Sequence, residues 1–437
     1  MTSLTLCCSR RALAANAYAS ANWRLIQTLQ RRQQQQREQW RCLQSAALAT
    51  TTTRSTVMAP KSNANFCADF RMMSSSTGAA PKLVAVEESR RFMIDCFKAV
   101  GVPEAAAVAQ AELLVAADHR GHFSHGMNRL EMYINDLKIN STDGGAVPKV
   151  LKETPATAWV DGANGLGAVV GNYCMDLAIK KAKTVGVGWV CARNSNHYGM
   201  AGWYALRAME HGLVGMSMTN TSPLMAPTHA KTAALGTNPL SLGAPGANGD
   251  NFLLDMATTA VAVGKIEIQR RKGAALPDGW AQDPEGNMTN DAELGFKTGC
   301  LMPLGGSELT SGYKGYGLGA MVDILSGVMA GANYSTKVRK WTHAGADSAA
   351  DLGQVFIAVD PNCFSPDFAE HMSDFNTRLR SSEPTDPKKP VLLPGDKEAN
   401  NMKSVDAAGG IQYLENQLNT CASLAERLNI APLKFNA

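Results

Sequence analysis

The side chains best equipped for chemistry sit together in Asp118-His-Arg-Gly-His-Phe-Ser-His-Gly-Met-Asn-Arg-Leu-Glu-Met-Tyr-Ile-Asn-Asp-Leu137. If a helix begins near Ser124, then His125, Arg129 and Tyr133 fall at i, i+4 and i+8 and form one polar ridge. Met127, Leu130, Ile134 and Leu137 then make an apolar stripe about 120° around the axis. A guanidinium grips a carboxylate bidentately, an imidazole titrates near neutrality, and the hydroxyls of Ser124 and Tyr133 can orient a small polar ligand. The pattern points to a site for a small carboxylic acid. The same spacing also describes a solvated helix face with His125 packed or idle, and the residues alone leave both readings open.

The flanking sequence supplies elements to hold such a site. Val86–Val100 reads as an amphipathic helix closed by Gly101, and Pro103 starts an Ala-rich helix running to about Asp118. From about Thr157 the texture changes to short apolar runs alternating with helices, at Ala158–Asp161, Gly188–Ala192, Leu213–Thr219, Phe252–Asp255 and Val355–Val359. Many of these runs begin or end at glycine, as in an α/β body around a buried mixed sheet. After Pro390, Ile411, Leu414, Leu418, Leu424 and Leu428 mark C-terminal helices.

Composition narrows the class. The 437 residues suffice for one or two cores, and no apolar run reaches the length of a membrane span. Residues 1–75 hold ten of the 42 basic residues against only Glu38 and Asp69, so the remainder stands near −4 and offers no basic nucleic-acid surface. That leader is Arg-, Ser-, Ala- and Gln-rich, the composition of an organelle transit peptide, and predicts a disordered segment with a mitochondrial address. The other reading is an upstream extension, with Met58, Met72 or Met73 starting a cytosolic protein. Cys96, Cys174, Cys191, Cys300, Cys363 and Cys421 lie far apart, with no spacing that would assemble a metal site, and read as reduced, mostly buried thiols.

The Asp118–Leu137 segment, Asn194-Ser-Asn-His-Tyr-Gly199, Gly236-Thr-Asn-Pro-Leu240, Asp255-Met-Ala-Thr-Thr259 and Gly312-Tyr-Lys-Gly-Tyr-Gly317 together resemble the type-2 malate/L-lactate dehydrogenase family. The likeness runs from about Val86 to the C-terminus. That family reduces 2-oxo acids, or oxidises 2-hydroxy acids, with a nicotinamide cofactor and without a Rossmann domain. Its members also act on ureidoglycolate, sulfolactate, diketogulonate and cyclic imino acids. The resemblance implies an α/β fold in which a non-Rossmann, mixed-sheet nucleotide-binding domain is inserted into a mainly helical domain built from N- and C-terminal segments. The corresponding parts are 76–150, 151–380 and 381–437. It further implies a homodimer, NAD or NADP as cofactor, and malate/oxaloacetate as the simplest substrate pair. Asp255, Met256, Ala257 and Thr221 match cofactor-contacting positions, Lys314 lies between glycines where its ammonium can meet a phosphate or ribose, and Gly395-Asp396-Lys397 corresponds to a late cofactor loop.

One motif imitates a different cofactor site. Gly165, Gly167 and Gly171 follow a strand and precede a helix, as in a dinucleotide fingerprint, but the spacing is loose and no acid follows the next strand, so they read as backbone punctuation. Hydride transfer to a 2-oxo carbon leaves an alkoxide that needs a proton, and His125 and His197 compete to give it. The reading favours His125 as donor with His197 polarising the carbonyl, Arg129 gripping the carboxylate, and Ser124 and Tyr133 positioning substrate. A serine hydrolase using Ser124 is the alternative of another class; it lacks a Gly-x-Ser-x-Gly elbow, and on one helix His125 would point about 100° away from Ser124. His119 and His122 read as local structural residues.

Overall fold

The computed structural model describes residues 82–340 and 349–435, so the leader and its expected disorder and targeting lie outside the described residues. The first helix, Val86–Ala99, buries Phe92, Met93, Cys96 and Phe97 on one side, while Glu87 and Glu88 in its first turn and Lys98 in its last complement the helix dipole. The second, Glu104–His119, follows Pro103. Both pack with Leu130–Lys138 and with Tyr413, Leu418, Cys421 and Leu424 from the far end of the chain into one apolar core. Leu83–Val84 pairs antiparallel with Ile411–Gln412, so the first and last strands among the described residues close on each other. Ile411 therefore belongs to a short strand, and the C-terminal helices are Asp396–Ala408 and Glu415–Leu428.

The second layer system is a seven-stranded sheet ordered Lys149–Glu153, Thr157–Asp161, Val187–Ser195, Leu352–Val359, Val214–Thr219, Leu240–Ala244, Phe252–Met256. Only Thr157–Asp161 and Val187–Ser195 run parallel, joined by the crossover helix Gly167–Val185; the other neighbours are antiparallel. A doubly wound parallel sheet is thereby excluded and the mixed, non-Rossmann sheet is what forms. Helices Gly167–Val185 and Gly202–Met209 cover one face through Val170, Cys174, Met175, Ala178, Tyr204 and Ala208. Val322 and Ala330 cover the other, against Met218, Val355 and Ile357.

This topology decides where chemistry collects. Val187–Ser195, Val214–Thr219 and Phe252–Met256 all point the same way, so His197, Thr221 and Asp255–Ala257 emerge at one edge of the sheet. Two strands escape the sequence pattern. Lys149–Glu153 is exposed along its whole length, and Leu240–Ala244 alternates leucine with Ser241 and Gly243 but buries the small residues more fully than the leucines. Five of the six cysteines of the body are buried thiols and Cys363 is exposed. Among the described residues no helix is long and apolar enough to cross a membrane, and no group of three or more His, Cys, Asp or Glu could hold a metal.

Candidate active site

The helix expected to begin near Ser124 does not. Phe123–His125 and Met127–Arg129 form two short 3-10 turns, and the α-helix starts only at Leu130. Gly126, at φ −104° and ψ −130°, breaks the run. The ridge of His125, Arg129 and Tyr133 at helical spacing therefore does not exist, and Tyr133 is almost fully buried rather than on a polar face. The cause is Asp118: its carboxylate accepts the Met127 amide at 2.8 Å and lies where a β-carbon on Gly126 would fall, 1.9 Å from Oδ1.

The broken turn still brings the expected residues together. The rings of His125 and His197 stack with centroids 5.8 Å apart and planes 16° from parallel. Tyr133 Oη meets His197 Nδ1 at 2.5 Å and also donates to the His197 carbonyl at 3.3 Å. The Gly199 amide donates to the same Nδ1 at 3.4 Å, which assigns the ring proton of His197 to Nε2. Ser124 Oγ lies 3.0 Å from His125 Nδ1. The serine and histidine do touch, then, against the expectation from an α-helix, because a 3-10 turn orients neighbours differently. Arg129 donates Nε to the Ser124 carbonyl at 2.8 Å, and its side chain is exposed.

Electrostatics set the protonation state. Burial, then the Arg129 cation, then His122, pushes the His125 imidazole down to about 3. Burial, then His125 and Arg129, holds His197 well below the usual range. Both rings are neutral at pH 7 when the site holds no anion. A neutral imidazole that weakly basic makes a poor general base for Ser124, and among the described residues no carboxylate pairs with His125 to complete a hydrolase triad.

A cavity of about 210 Å³ is lined by Arg120 and His122 of the same segment, with Met200, Gly202, Leu253, Asp255, Gly395 and Glu398 among others. Asp255 accepts the Gly202 amide at 2.7 Å, and burial raises its carboxyl above the ordinary range despite that bond and the nearby His122 and Arg120. Arg120 faces both carboxylates, Glu398 and Asp255, without a salt bridge among the described residues. The sequence reading missed Arg120 and Glu398 and took His122 for a structural residue; its Nε2 stands 3.7 Å from Glu398 at this cavity. The signal was the run Arg120-Gly-His122 inside the reactive segment. His119 is structural as read, paired with Asp406 at 2.8 Å.

The remaining candidates are placed differently. Gly395 (φ +99°) caps helix Asp396–Ala408 and shares the cavity with Asp255. Asp396 is committed to Arg380 through bonds of 2.8 and 3.0 Å, which hold its carboxyl below its normal value, and Lys397 is exposed. Thr221 Oγ1 accepts the Thr237 amide at 3.0 Å. Met256 pairs with Leu240 in the sheet, with Ala257 directly after it. Lys314 is exposed in the first turn of helix Gly312–Asp323, not in a loop, and its flanking glycines serve the protein's own packing: a β-carbon on Gly315 would lie 2.2 Å from the Leu304 carbonyl.

Residues 84–421 match the family model described as malate/L-lactate dehydrogenase. The chain belongs to that family. Among relatives of this dehydrogenase, the malate dehydrogenase of Pyrococcus horikoshii is 42% identical over 345 residues, 78% of this chain and 94% of the relative. The L-sulfolactate dehydrogenase of Methanocaldococcus jannaschii is 40% identical over 335 residues, 76% and 94% respectively. The crystal structure of malate dehydrogenase from Entamoeba histolytica superposes with a TM-score of 0.76 at 32% identity, covering 80% of this chain and 99% of that one. The sequence-based family assignment and the α/β architecture it implied are both shown, and the chain is an enzyme of the dehydrogenase class.

Proposed function

We propose that this dehydrogenase interconverts malate and oxaloacetate with a nicotinamide cofactor, NAD in the simplest reading and NADP as the alternative. The observation that carries the reading is the convergence of one cation and two stacked imidazoles, Arg129, His125 and His197, backed by Tyr133. Malate dehydrogenases among the relatives support the substrate. A sulfolactate dehydrogenase keeps another 2-hydroxy acid as the second reading.

The residues around the 210 Å³ cavity fit a dinucleotide: Arg120 can neutralise a phosphate, the buried Asp255 can accept from a ribose hydroxyl, and the bare Gly395 backbone leaves room. Met256, Ala257, Thr221 and Lys314 complete the candidate contacts, with Lys397 at the helix start. A nicotinamide held by these residues would supply, or take up, the hydride exchanged at C2 of the substrate.

The chain's own part is charge and proton control. The terminal nitrogens of Arg129 grip the C1 carboxylate, and Ser124 and Tyr133 hold the two stacked imidazoles in place, Ser124 against His125 and Tyr133 against His197. His197 presents Nε2–H to the substrate oxygen and polarises it. His125 is depressed largely by burial and by the Arg129 cation, so an arriving carboxylate that neutralises Arg129 raises it and draws a proton into the site. That proton passes from His125 to the developing alkoxide, and returns in the oxidative direction.

Absorbance at 340 nm with a panel of 2-oxo acids and both reduced cofactors tests the reading. Oxaloacetate should give the highest kcat/KM, and silence with every 2-oxo acid would refute it. The same reading holds 76–150 and 381–437 as the substrate part, 151–380 as the cofactor part, and a homodimer, which light scattering should show as at least twice the chain mass. For the leader, we keep the mitochondrial address, with a cytosolic start at Met72 or Met73 as the alternative. A mature N-terminus near residue 75 supports the first, and an acetylated Met72 or Met73 the second.

A further inference from the structure

Behind the catalytic turn lies a titratable group that the mechanism above does not use. Asp118 is fully buried at the end of helix Glu104–His119, and its Oδ2 receives two donors, the Met127 amide at 2.8 Å and the Tyr413 hydroxyl at 2.8 Å. Its other oxygen has no hydrogen-bond partner and faces Gly126, leaving no space for a side chain there. Tyr413 comes from the C-terminal segment, directly after the strand Ile411–Gln412. The same hydroxyl reaches Ser89 Oγ on the first helix at 3.3 Å.

We infer that Asp118 is a positioning residue of the oxo-acid site, fixing the turn that carries His125 and Arg129 to the C-terminal segment through Tyr413. The inference rests on the site reading above. Gly126 and Met127 are the two residues between His125 and Arg129 that Asp118 touches, so the carboxyl sets the break that lets Ser124 meet His125 and Arg129 reach back to the Ser124 carbonyl. Without it the segment is free to propagate as the helix its sequence otherwise favours, which would carry His125 out of the stack with His197.

The hydroxyl of Tyr413 has two donor options. It can donate to an ionised Asp118, or accept from a protonated one and donate to Ser89. Burial raises the Asp118 carboxyl to about 7, the Met127 amide and Tyr413 pulling it back, so both arrangements lie within the working pH range. Of the groups facing Asp118, Tyr413 and Cys421 are themselves titratable, and burial holds both in the protonated form. Asp118 is thus the member of this cluster that changes charge near neutrality.

The test uses the full chain, oxaloacetate and NADH, with Asp118→Ala, Asp118→Asn, Tyr413→Phe and, as reference, Arg129→Lys. Asp118→Ala should raise the KM for oxaloacetate at least about tenfold with the KM for NADH unchanged, since a misplacement of about 1 Å costs up to about 10²-fold. Asp118→Asn keeps an acceptor oxygen for the amide and should recover most of that loss while flattening the pH profile of kcat/KM near 7. Tyr413→Phe should raise the oxaloacetate KM by roughly threefold to tenfold. A folded Asp118→Ala enzyme with normal oxaloacetate KM overturns the inference. If Asp118→Ala does not fold, Tyr413→Phe with a lowered Tm and a normal oxaloacetate KM overturns it instead. An unaltered oxaloacetate KM in Arg129→Lys would strike the site reading itself, and this proposal with it, which separates the two failures.

Discussion

The two histidine loops reach the same point by different means. His125 sits on a broken 3-10 turn in the helical part, pinned from behind by one buried carboxyl, and its Nδ1 faces a serine hydroxyl able to give or take a proton. His197 follows a central strand and is fixed by backbone and amide contacts. Asn196 Nδ2 donates to Asn164 and Gly165, Gln354 Nε2 donates to the Asn196 carbonyl at 2.8 Å, and a β-carbon on Gly167 would fall 2.1 Å from the His197 carbonyl. One imidazole keeps its tautomer and the other is free to change it. Proton exchange therefore suits His125, and a fixed Nε2–H donor suits His197.

The largest effects should fall on the rings themselves: His125→Ala and His197→Ala are each expected to lower kcat by about 10²–10⁴-fold. Next comes Arg129→Lys, which keeps the charge and loses the planar fork. It should lower kcat/KM for oxaloacetate by about 10²-fold, on the order of 3 kcal/mol, through KM, with cofactor binding unmoved. Steady-state kinetics with both substrates varied check it. Gly167→Ala probes the support of His197 alone. The added methyl must push on the His197 carbonyl, costing about 1–3 kcal/mol of stability by chemical denaturation and roughly tenfold in kcat. Wild-type activity in that variant would break the contrast between a rigid and an adjustable loop.

The smallest effect is a matter of slope. In the unfolded chain a histidine binds its proton near pH 6.5, whereas folded His125 does so only at about 3, so stability is lost as pH falls below 6.5. Asp118 works in the opposite sense. Folded it keeps its proton to about 7, while unfolded it releases it near 3.8, so stability is lost as pH rises through that interval. Each contributes about 1.4 kcal/mol per pH unit at most, and they oppose. Thermal melts between pH 4.5 and 6.5 should show Asp118→Asn steepening the fall in Tm on acidification and His125→Asn flattening it.

Much of this was legible in the sequence, and the failures have definite causes. The helix at Val86–Ala99 announces itself through one-sided apolar spacing and the closing Gly101, and the one at Glu104–His119 through its alanine content and the leading Pro103. The reactive residues were legible by type and company, but their geometry was not. Nothing local to Ser124–Tyr133 reveals that Asp118 interrupts the helix at Gly126, since the competing bond is a tertiary one that tertiary packing enforces. Gly167 and Gly171 read as punctuation because the contacts that need them lie 30 and 33 residues away in sequence, at His197 and at the Tyr204 ring. Arg120 and Glu398 meet at one cavity from opposite ends of the chain, a juxtaposition that no spacing rule can see.

The most direct measurement of the central claim is the pH dependence of kcat in the two histidine variants, run beside the wild type with oxaloacetate and NADH. Wild-type kcat should fall on the basic side as the proton donor is lost. In His125→Ala that limb should vanish along with most of the rate, whereas His197→Ala should be slow yet keep it. A His125→Ala enzyme that retains the normal basic limb would contradict the account and make His197 the donor.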